Sequence, residues 1–348
     1  MNRAATIALS PFSLLYGAAM KARAALYDRG IFHVQNVSVP VISIGNLTTG
    51  GTGKTPLVEW VANRLADAGH RVGVLTRGYG RTNPHQRVVV SDGSQILSDV
   101  ESAGDEPLML AESLLGKAAI ICDMDRAAAA KWAIENLECD VLILDDGFQH
   151  LGLARDLDIV TIDATRPFAN GWVLPAGMLR EPISSLARAH CVVITRANGD
   201  DDGQLVQEIK KTTDAPILRS RTFISRVRLL NVESPVDIGK LRLTPVGAFC
   251  GLGNPDAFFQ QLRADQMNVV HPVAFRDHQR YSQSDIDQLT DGSVVHGAEA
   301  LITTTKDEVK LRSFCFRLPC YVVEIEIQID EPQKLIEMLE RAIKKTRA

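Results

Sequence analysis

Leu47-Thr48-Thr49-Gly50-Gly51-Thr52-Gly53-Lys54-Thr55-Pro56 lies between a strand-like apolar run, residues 39–44, and a helix-like run, residues 57–62. A strand, a glycine-rich turn and a helix opening on Gly-Lys-Thr is the arrangement by which a chain grips a nucleoside triphosphate. Gly50, Gly51 and Gly53 let the backbone of residues 48–55 wrap phosphate oxygens with successive N–H groups turned inward. The helix N-terminus adds its positive dipole end. Lys54 is placed to reach the β- and γ-phosphates of ATP, and the Thr55 hydroxyl to hold Mg²⁺. The general pattern has glycine five positions before Gly53, where this chain has Thr48. Glycine clusters in mere tight turns are common, but Gly-Gly-Thr-Gly-Lys-Thr between a strand and a helix is not.

Outward from this loop, short apolar runs alternate with helical stretches. Residues 71–76, 87–90, 119–122, 141–144, 157–162 and 191–195 read as buried strands, and 57–68, 106–115 and 126–137 as helices. This order predicts an α/β fold: a P-loop NTPase-like, mostly parallel sheet with helices on both faces and a site at the carboxyl ends of its strands. An acidic loop at Asp200–Asp202 breaks the pattern. Residues 31–217 then form the nucleotide-binding domain. Residues 218–244 read as a connector of two or three strands, and 245–348 as a second, smaller α/β domain closed by a helix over 331–345.

The chain has 348 residues, 45% hydrophobic and 23% charged, which suits a globular protein with a full core. A net charge of −4 and the lack of a basic stripe interleaved with aromatics argue against nucleic acid as a partner. Cys122, Cys139, Cys191, Cys250, Cys315 and Cys320 show no metal-ligand spacing, and unpaired thiols together with ATP chemistry suggest a reducing cytoplasm. Residues 1–30 differ from the rest. No charged residue occurs from Ala4 to Met20, while Arg3, Lys21, Arg23 and Arg29 against Asp28 give a local charge of 4 − 1 = +3. The run is short for a membrane span and is broken by Ser10-Pro11. After the proline, Phe12, Leu15, Tyr16, Ala19 and Met20 recur at near-helical spacing. Two readings fit: a helix lying on an anionic membrane surface, or an amphipathic helix packed on its own domain.

Five further motifs carry chemistry. Val141–Leu144 ends in Asp145-Asp146, and an acidic strand end after a phosphate loop faces Mg²⁺. Gly147-Phe148-Gln149-His150 follows, placing an amide and an imidazole beside the same pocket. Arg77-Gly78-Tyr79-Gly80-Arg81 offers two arginines on a loop free to approach phosphate. In Gly104-Asp105-Glu106-Pro107, Asp105 by itself reads as a helix N-cap. Gly177-Met178-Leu179-Arg180-Glu181-Pro182 brings an arginine and a carboxylate to the same face. Beyond residue 245, ionisable groups gather in Phe275–Tyr281, around His278, and at Thr303-Thr304-Thr305-Lys306-Asp307.

Taken together, these motifs, with Asp277-His278-x-x-Tyr281 and the N-terminal Pro11-Phe12-Ser13-Leu14-Leu15-Tyr16-Gly17, strongly resemble the tetraacyldisaccharide 4'-kinase family of lipid A biosynthesis. The resemblance covers essentially the whole chain. One departure stands out: the family usually reads Thr-Glu-Lys-Asp where this chain has Thr304-Thr305-Lys306-Asp307, so any role of an acid at 305 is absent. The resemblance implies transfer of the ATP γ-phosphate to the 4'-hydroxyl of a tetraacyldisaccharide 1-phosphate at the cytoplasmic face of the bacterial inner membrane. It implies an Asp–His pair near the acceptor, mapping onto Asp105 and His278. It puts Asp145 and Asp146 near Mg²⁺ and the acceptor, with Glu181 a further candidate metal ligand. Arg77, Arg126, Gln149 and Arg180 would neutralise or position substrate. It calls for no obligate protein partner. The rivals are a P-loop switch NTPase, against which stands the lack of Asn-Lys-x-Asp, and a kinase for a soluble metabolite, which leaves residues 1–30 unexplained.

Overall fold

A computed structural model describes residues 3–197 and 202–347. In chain order the elements are α1 (Arg3–Asp28), β1 (Val41–Asn46), α2 (Lys54–Asp67), β2 (Val72–Thr76), β3 (Val88–Ser91), α3 (Val100–Ala103), α4 (Asp105–Ser113), β4 (Ala118–Cys122), α5 (Arg126–Leu137), β5 (Val141–Asp145) and β6 (Leu157–Asp163). There follow β7 (Cys191–Thr195), α6 (Gly203–Lys210), β8 (Ile217–Leu229), α7 (Ile238–Leu243), β9 (Val246–Cys250), α8 (Pro255–Ala264), β10 (Val269–Ala274), α9 (Gln283–Val295), β11 (Ala300–Thr304), α10 (Thr305–Leu311), β12 (Cys320–Ile329) and α11 (Pro332–Arg347).

Among the described residues the strands join in one sheet of order β10-β9-β11-β12-β8-β7-β6-β1-β5-β2-β4-β3. The pairings are parallel except at two places, the edge pair β3–β4 and the pair β8–β12. β1, β5, β6 and β7 are buried along their whole length, as parallel strands covered on both faces must be. β1 sits between β5 and β6, with Ile44 opposite Asp145, so the loop after β1 and the acidic end of β5 emerge side by side. This is the mostly parallel α/β architecture that the alternating pattern predicts.

Three expectations need correction. Residues 218–244 hold one long strand and the short helix α7, not two or three strands. The strand is β8, which pairs with β12 from Ser220 to Leu229. There Arg228 meets Glu308 and Glu324. Likewise, α11 does not close the second unit. Its Leu335, Leu339, Ala342 and Ile343 join the core that contains Ile159, Val193 and Leu218, back on the first half of the sheet. Finally, Ser10-Pro11 does not break the N-terminal run, since Pro11 lies inside α1. Of the acidic loop, Asp202 precedes α6 and pairs with Arg219, while Asp200 and Asp201 lie outside the described residues.

α1 is docked along one face and bare on another. Ser13 donates to the Val173 carbonyl (2.7 Å) and accepts from the Ala176 N–H (2.8 Å). Tyr16 packs on the cluster around Phe148 and Leu179. Ile7, Phe12, Leu14 and Leu15 are all more than 60% exposed. No helix among the described residues is long and apolar enough to cross a membrane.

Candidate active site

The phosphate loop is pre-shaped by its neighbours. Gly53, the N-cap of α2, has φ 74° and lies against Thr195, so a side chain there would be strained and crowded. Thr195 Oγ1 donates to the Thr52 carbonyl (2.8 Å), Arg196 donates to the Gly51 carbonyl (3.1 Å), and the Thr52 and Thr161 hydroxyls meet at 2.9 Å. Thr49 N–H donates to the Met178 carbonyl (2.7 Å), which ties the loop to the segment carrying Arg180. Thr48 is buried and bridges to Leu179, a structural place that explains why glycine is not needed there.

Above this loop opens a cavity of about 1940 Å³. Thr49, Gly50, Gly51, Thr52, Gly53, Lys54, Thr55, Arg77, Arg126, Asp145, Asp146, Gln149, Arg180 and His278 all line it. Three predicted residues do not. Thr48 lies outside the wall, in its bridge to Leu179. Glu181 is buried and held by Arg188 at 2.6 Å, outside the cavity wall, so the metal role expected for it has no support in this geometry. Asp105 lies just behind the wall, with His278 between it and the open volume.

The two carboxylates that end β5 have opposite electrostatic fates. Asp145 is buried and accepts from Thr76 Oγ1 (3.0 Å). Burial first, then the neighbouring Asp146 charge, pushes its carboxyl up to about 6. Asp146 (φ 53°) is paired with Lys54 at 3.4 Å and Arg180 at 2.5 Å. Burial works against its charge, but these two cations prevail and hold it down to about 2. Gln149 donates to the Asn46 carbonyl (2.9 Å) at the end of β1. Arg126, at the start of α5, donates to the Asp123 carbonyl at 2.5 Å. His150 beside them is pushed down to about 4 by burial and by Arg126 and Arg155.

His278 Nδ1 lies 2.9 and 3.0 Å from the two Asp105 oxygens. A carboxylate only accepts, so Nδ1 carries the proton and Nε2 is left as the acceptor. The ring lies tilted against Tyr79 of the Arg77–Arg81 loop, 4.9 Å between centroids at an interplanar angle of 47°. Burial opposes both charges. The mutual hydrogen bond, with Lys306 and Lys310 beside it, nonetheless holds Asp105 well below the usual carboxylate range, and the Asp105 contact raises His278. Asp105 is not the N-cap of α4, a place held by Gly104; it is the first helical residue, and its side chain meets a residue 173 positions along the chain.

Sequence reasoning missed several residues. Arg196 and Thr195 at the end of β7, and Thr76 at the end of β2, stand at carboxyl strand ends, where a parallel sheet puts its site. That position was the available signal. Gly253 was not foreseen: a Cβ on it would stand 2.9 Å from the Gly51 nitrogen, so the turn after β9 lies directly on the phosphate loop. Thr305, in place of the family's usual acid, donates to the Met109 sulfur at 3.4 Å.

Hard oxygen donors suited to Mg²⁺ are at hand in Thr55 and Asp145, and no group of three or more His, Cys, Asp or Glu that could hold a metal occurs among the described residues. Mg²⁺ binds through one or two carboxylates plus substrate phosphates rather than in an all-protein cage. The cost that burial imposes on the Asp145 charge is what a cation would relieve. The donor set fits.

Residues 5–344 match the family model described as LpxK, tetraacyldisaccharide-1-P 4'-kinase. The tetraacyldisaccharide 4'-kinase of Geobacter metallireducens is 40% identical over 344 residues, covering 99% of this chain and all of the relative. That of Geobacter sulfurreducens is 40% identical over 94% of this chain and 91% of its own. A crystal structure of LpxK from Aquifex aeolicus in complex with ATP superposes with a TM-score of 0.79 at 32% identity, covering 97% of this chain and 99% of that one. The chain belongs to the LpxK family of tetraacyldisaccharide-1-P 4'-kinases.

Proposed function

We infer that this kinase transfers the γ-phosphate of ATP to the 4'-hydroxyl of tetraacyldisaccharide 1-phosphate, giving lipid IVA. The observation that carries the reading is that Lys54 of the phosphate loop and His278 of the distant half of the sheet line one cavity. A phosphate donor and an acceptor hydroxyl can therefore meet between them.

In this proposal residues 48–55 hold the triphosphate, with Lys54 leaving Asp146 to take the β- and γ-phosphates. Thr55 and Asp145 hold Mg²⁺, which when bound neutralises charge on the phosphates. A sugar hydroxyl is a weak nucleophile at neutral pH, and the Asp105–His278 pair serves as its base. Because His278 stands between Asp105 and the cavity, Nε2 is the atom that faces the acceptor, and Asp105 orients the ring and stabilises its protonated form. Arg77, Arg126, Gln149 and Arg180 position the anionic groups of substrate and the transferring phosphoryl.

We further propose that residues 31–217 with α11 form the nucleotide-binding domain, 218–244 the connector and 245–331 the second domain. α1 is proposed to rest on the cytoplasmic face of the inner membrane. Its exposed Ile7, Phe12, Leu14 and Leu15 would enter the acyl boundary, and Lys21 and Arg29 lie toward its far end. Tyr16, Met20 and Arg23 of the same helix line the cavity, which supports a lipid entering along α1. Incubation with ATP, Mg²⁺ and tetraacyldisaccharide 1-phosphate in detergent should yield a doubly phosphorylated lipid. ATP hydrolysis without lipid phosphorylation would instead favour the switch-NTPase reading.

A further inference from the structure

We infer that Lys310 is a positioning residue for phosphoryl transfer: from outside the cavity it bridges Asp105 of one half of the molecule to Asp307 of the other, and so makes the Asp105–His278 pair depend on the docking of the two halves. The inference rests on the reading of that pair as the base.

Lys310 lies near the end of α10, one turn beyond Asp307, so both side chains share a face. Its ammonium is 3.2 Å from Asp105 Oδ2 and 3.3 Å from Asp307 Oδ1, with the Tyr281 ring at 5.5 Å, and the side chain is only 11% exposed. A desolvated ammonium is tolerable only where carboxylates surround it. Asp307 cannot follow a moving lysine, because it is fully buried and accepts from Gly251 N–H (3.0 Å), Tyr281 O–H (2.9 Å) and Thr304 Oγ1 (2.8 Å). Gly251 begins the turn whose Gly253 abuts the phosphate loop. One buried anchor thus fixes both the contact on the phosphate loop and the ammonium that grips Asp105.

Lys306 differs in kind. It pairs with Glu106 (2.8 Å) and Asp277 (3.1 Å) and lines the cavity, open to whatever binds there. Lys310 does not line the cavity, so it can act only through Asp105. The groups facing the pair are Glu106 from α4, Asp277 and Tyr281 from the segment after β10, Lys306 and Asp307 from α10, and the Tyr79 ring. Lys306 also acts on Asp105 through its charge, but of the two lysines Lys310 is the one whose ammonium touches the carboxylate. Its charge favours the ionised carboxylate and opposes the imidazolium beside it. Without that charge the pair as a unit holds its proton more tightly, and the acid limb of the rate profile moves to higher pH.

The test compares full-length Lys310→Met and Lys310→Arg with the parent in the lipid kinase assay across pH, alongside Asp105→Asn and His278→Gln. NMR titration of the His278 ring gives a readout independent of turnover. The methionine variant should lose about 10- to 100-fold in kcat at pH 7, with KM for ATP within about threefold. Its acid limb and the His278 titration should both move up by about one unit. Arginine, which keeps the charge, should restore both positions. If methionine prevents folding, Lys310→Gln removes the charge with a polar side chain, and the same shifts are read from it. An unmoved limb and an unmoved His278 titration in the folded uncharged variant overturn the role of Lys310. If Asp105→Asn and His278→Gln keep full activity, the base assignment itself is wrong, whatever Lys310 does.

Discussion

Asp146→Asn should tighten the binding of metal-free ATP while lowering turnover. Lys54 and Arg180, the cations proposed for phosphate, are held by the Asp146 carboxylate at 3.4 and 2.5 Å. A triphosphate must draw Lys54 away from this partner and must also approach the carboxylate's negative charge. Both costs vanish in the asparagine variant. At 3.4 Å the attraction is about 1.2 kcal/mol at the dielectric constant of water and about 5 kcal/mol at an effective value near 20. The Lys54 and Asp146 side chains are 14% and 32% exposed, so solvent screens the pair and the net value lies near the lower figure. About 1 kcal/mol corresponds to roughly fivefold in affinity.

The substitution is mild for the backbone, since Asp146 sits at φ 53° and asparagine tolerates that region as readily as aspartate. Calorimetric titration with ATP in EDTA is the assay. The expected Kd is about five times lower than the parent's, and because the family resemblance puts Asp146 near Mg²⁺ and the acceptor, kcat with Mg²⁺ present should fall by about a hundredfold or more. Weaker metal-free ATP binding in a folded Asp146→Asn protein would refute the idea that this carboxylate holds Lys54 in reserve.

Alanine at Asp105 or at His278 should each cost about 10²- to 10⁴-fold in rate, and the double variant should be little worse than the poorer single one; losses that multiply fully in steady-state kinetics would mean the two act separately. Glu59 on α2 accepts from Ser113 Oγ (2.6 Å), and burial together with Glu326 and Glu324 pushes its carboxyl up to about 7. The folded state therefore keeps its proton between about pH 4.5 and 7 while the unfolded chain loses it, so Glu59 subtracts stability as pH rises through that window. Glu59→Gln should gain about 1–2 kcal/mol over the parent at pH 8 and nothing at pH 4, after allowance for solvent at this half-buried group, as read by urea unfolding. Deleting residues 1–27 should weaken adsorption to anionic liposomes and raise KM for the lipid with ATP affinity unchanged. Equal liposome binding by the truncated chain, with loss of thermal stability, would assign α1 to packing alone.

The nucleotide half of the site was legible because its chemistry is local. The phosphate loop, Asp145-Asp146 and the Arg77–Arg81 loop are each contiguous in sequence, and each follows or ends a strand whose apolar run announces it. Thr195 and Thr76 were not read out because a threonine at a strand end has no chemistry of its own until the sheet sets it beside the loop. Glu181 misled for the complementary reason: it neighbours Arg180 in sequence, but the turn into the 3₁₀ segment Ile183–Arg188 sends its side chain to Arg188 instead of the cavity. Likewise, the place of Arg228 inside β8 could not be read locally, because Glu308 and Glu324, which neutralise it, lie 80 and 96 residues away.

The Asp105–His278 pair shows the same limit at the point that matters most. Each residue alone has a bland reading, an N-cap and a loop histidine, and only the family resemblance joined them. The physical cause of their meeting lies in two short helices. α4 carries Asp105, Glu106 and Glu112, while α10 and its end carry Lys306, Lys310 and Arg312, and the two rows pair one to one. Arg312–Glu112 is bidentate but partly open to solvent, which screens it. Asp105 with Lys310 is buried, and separating it would strand a carboxylate that burial already penalises. The halves are therefore held most firmly at the end of α4 where the proposed base sits. Docking then orders the base as a direct consequence of which ion pair is driest.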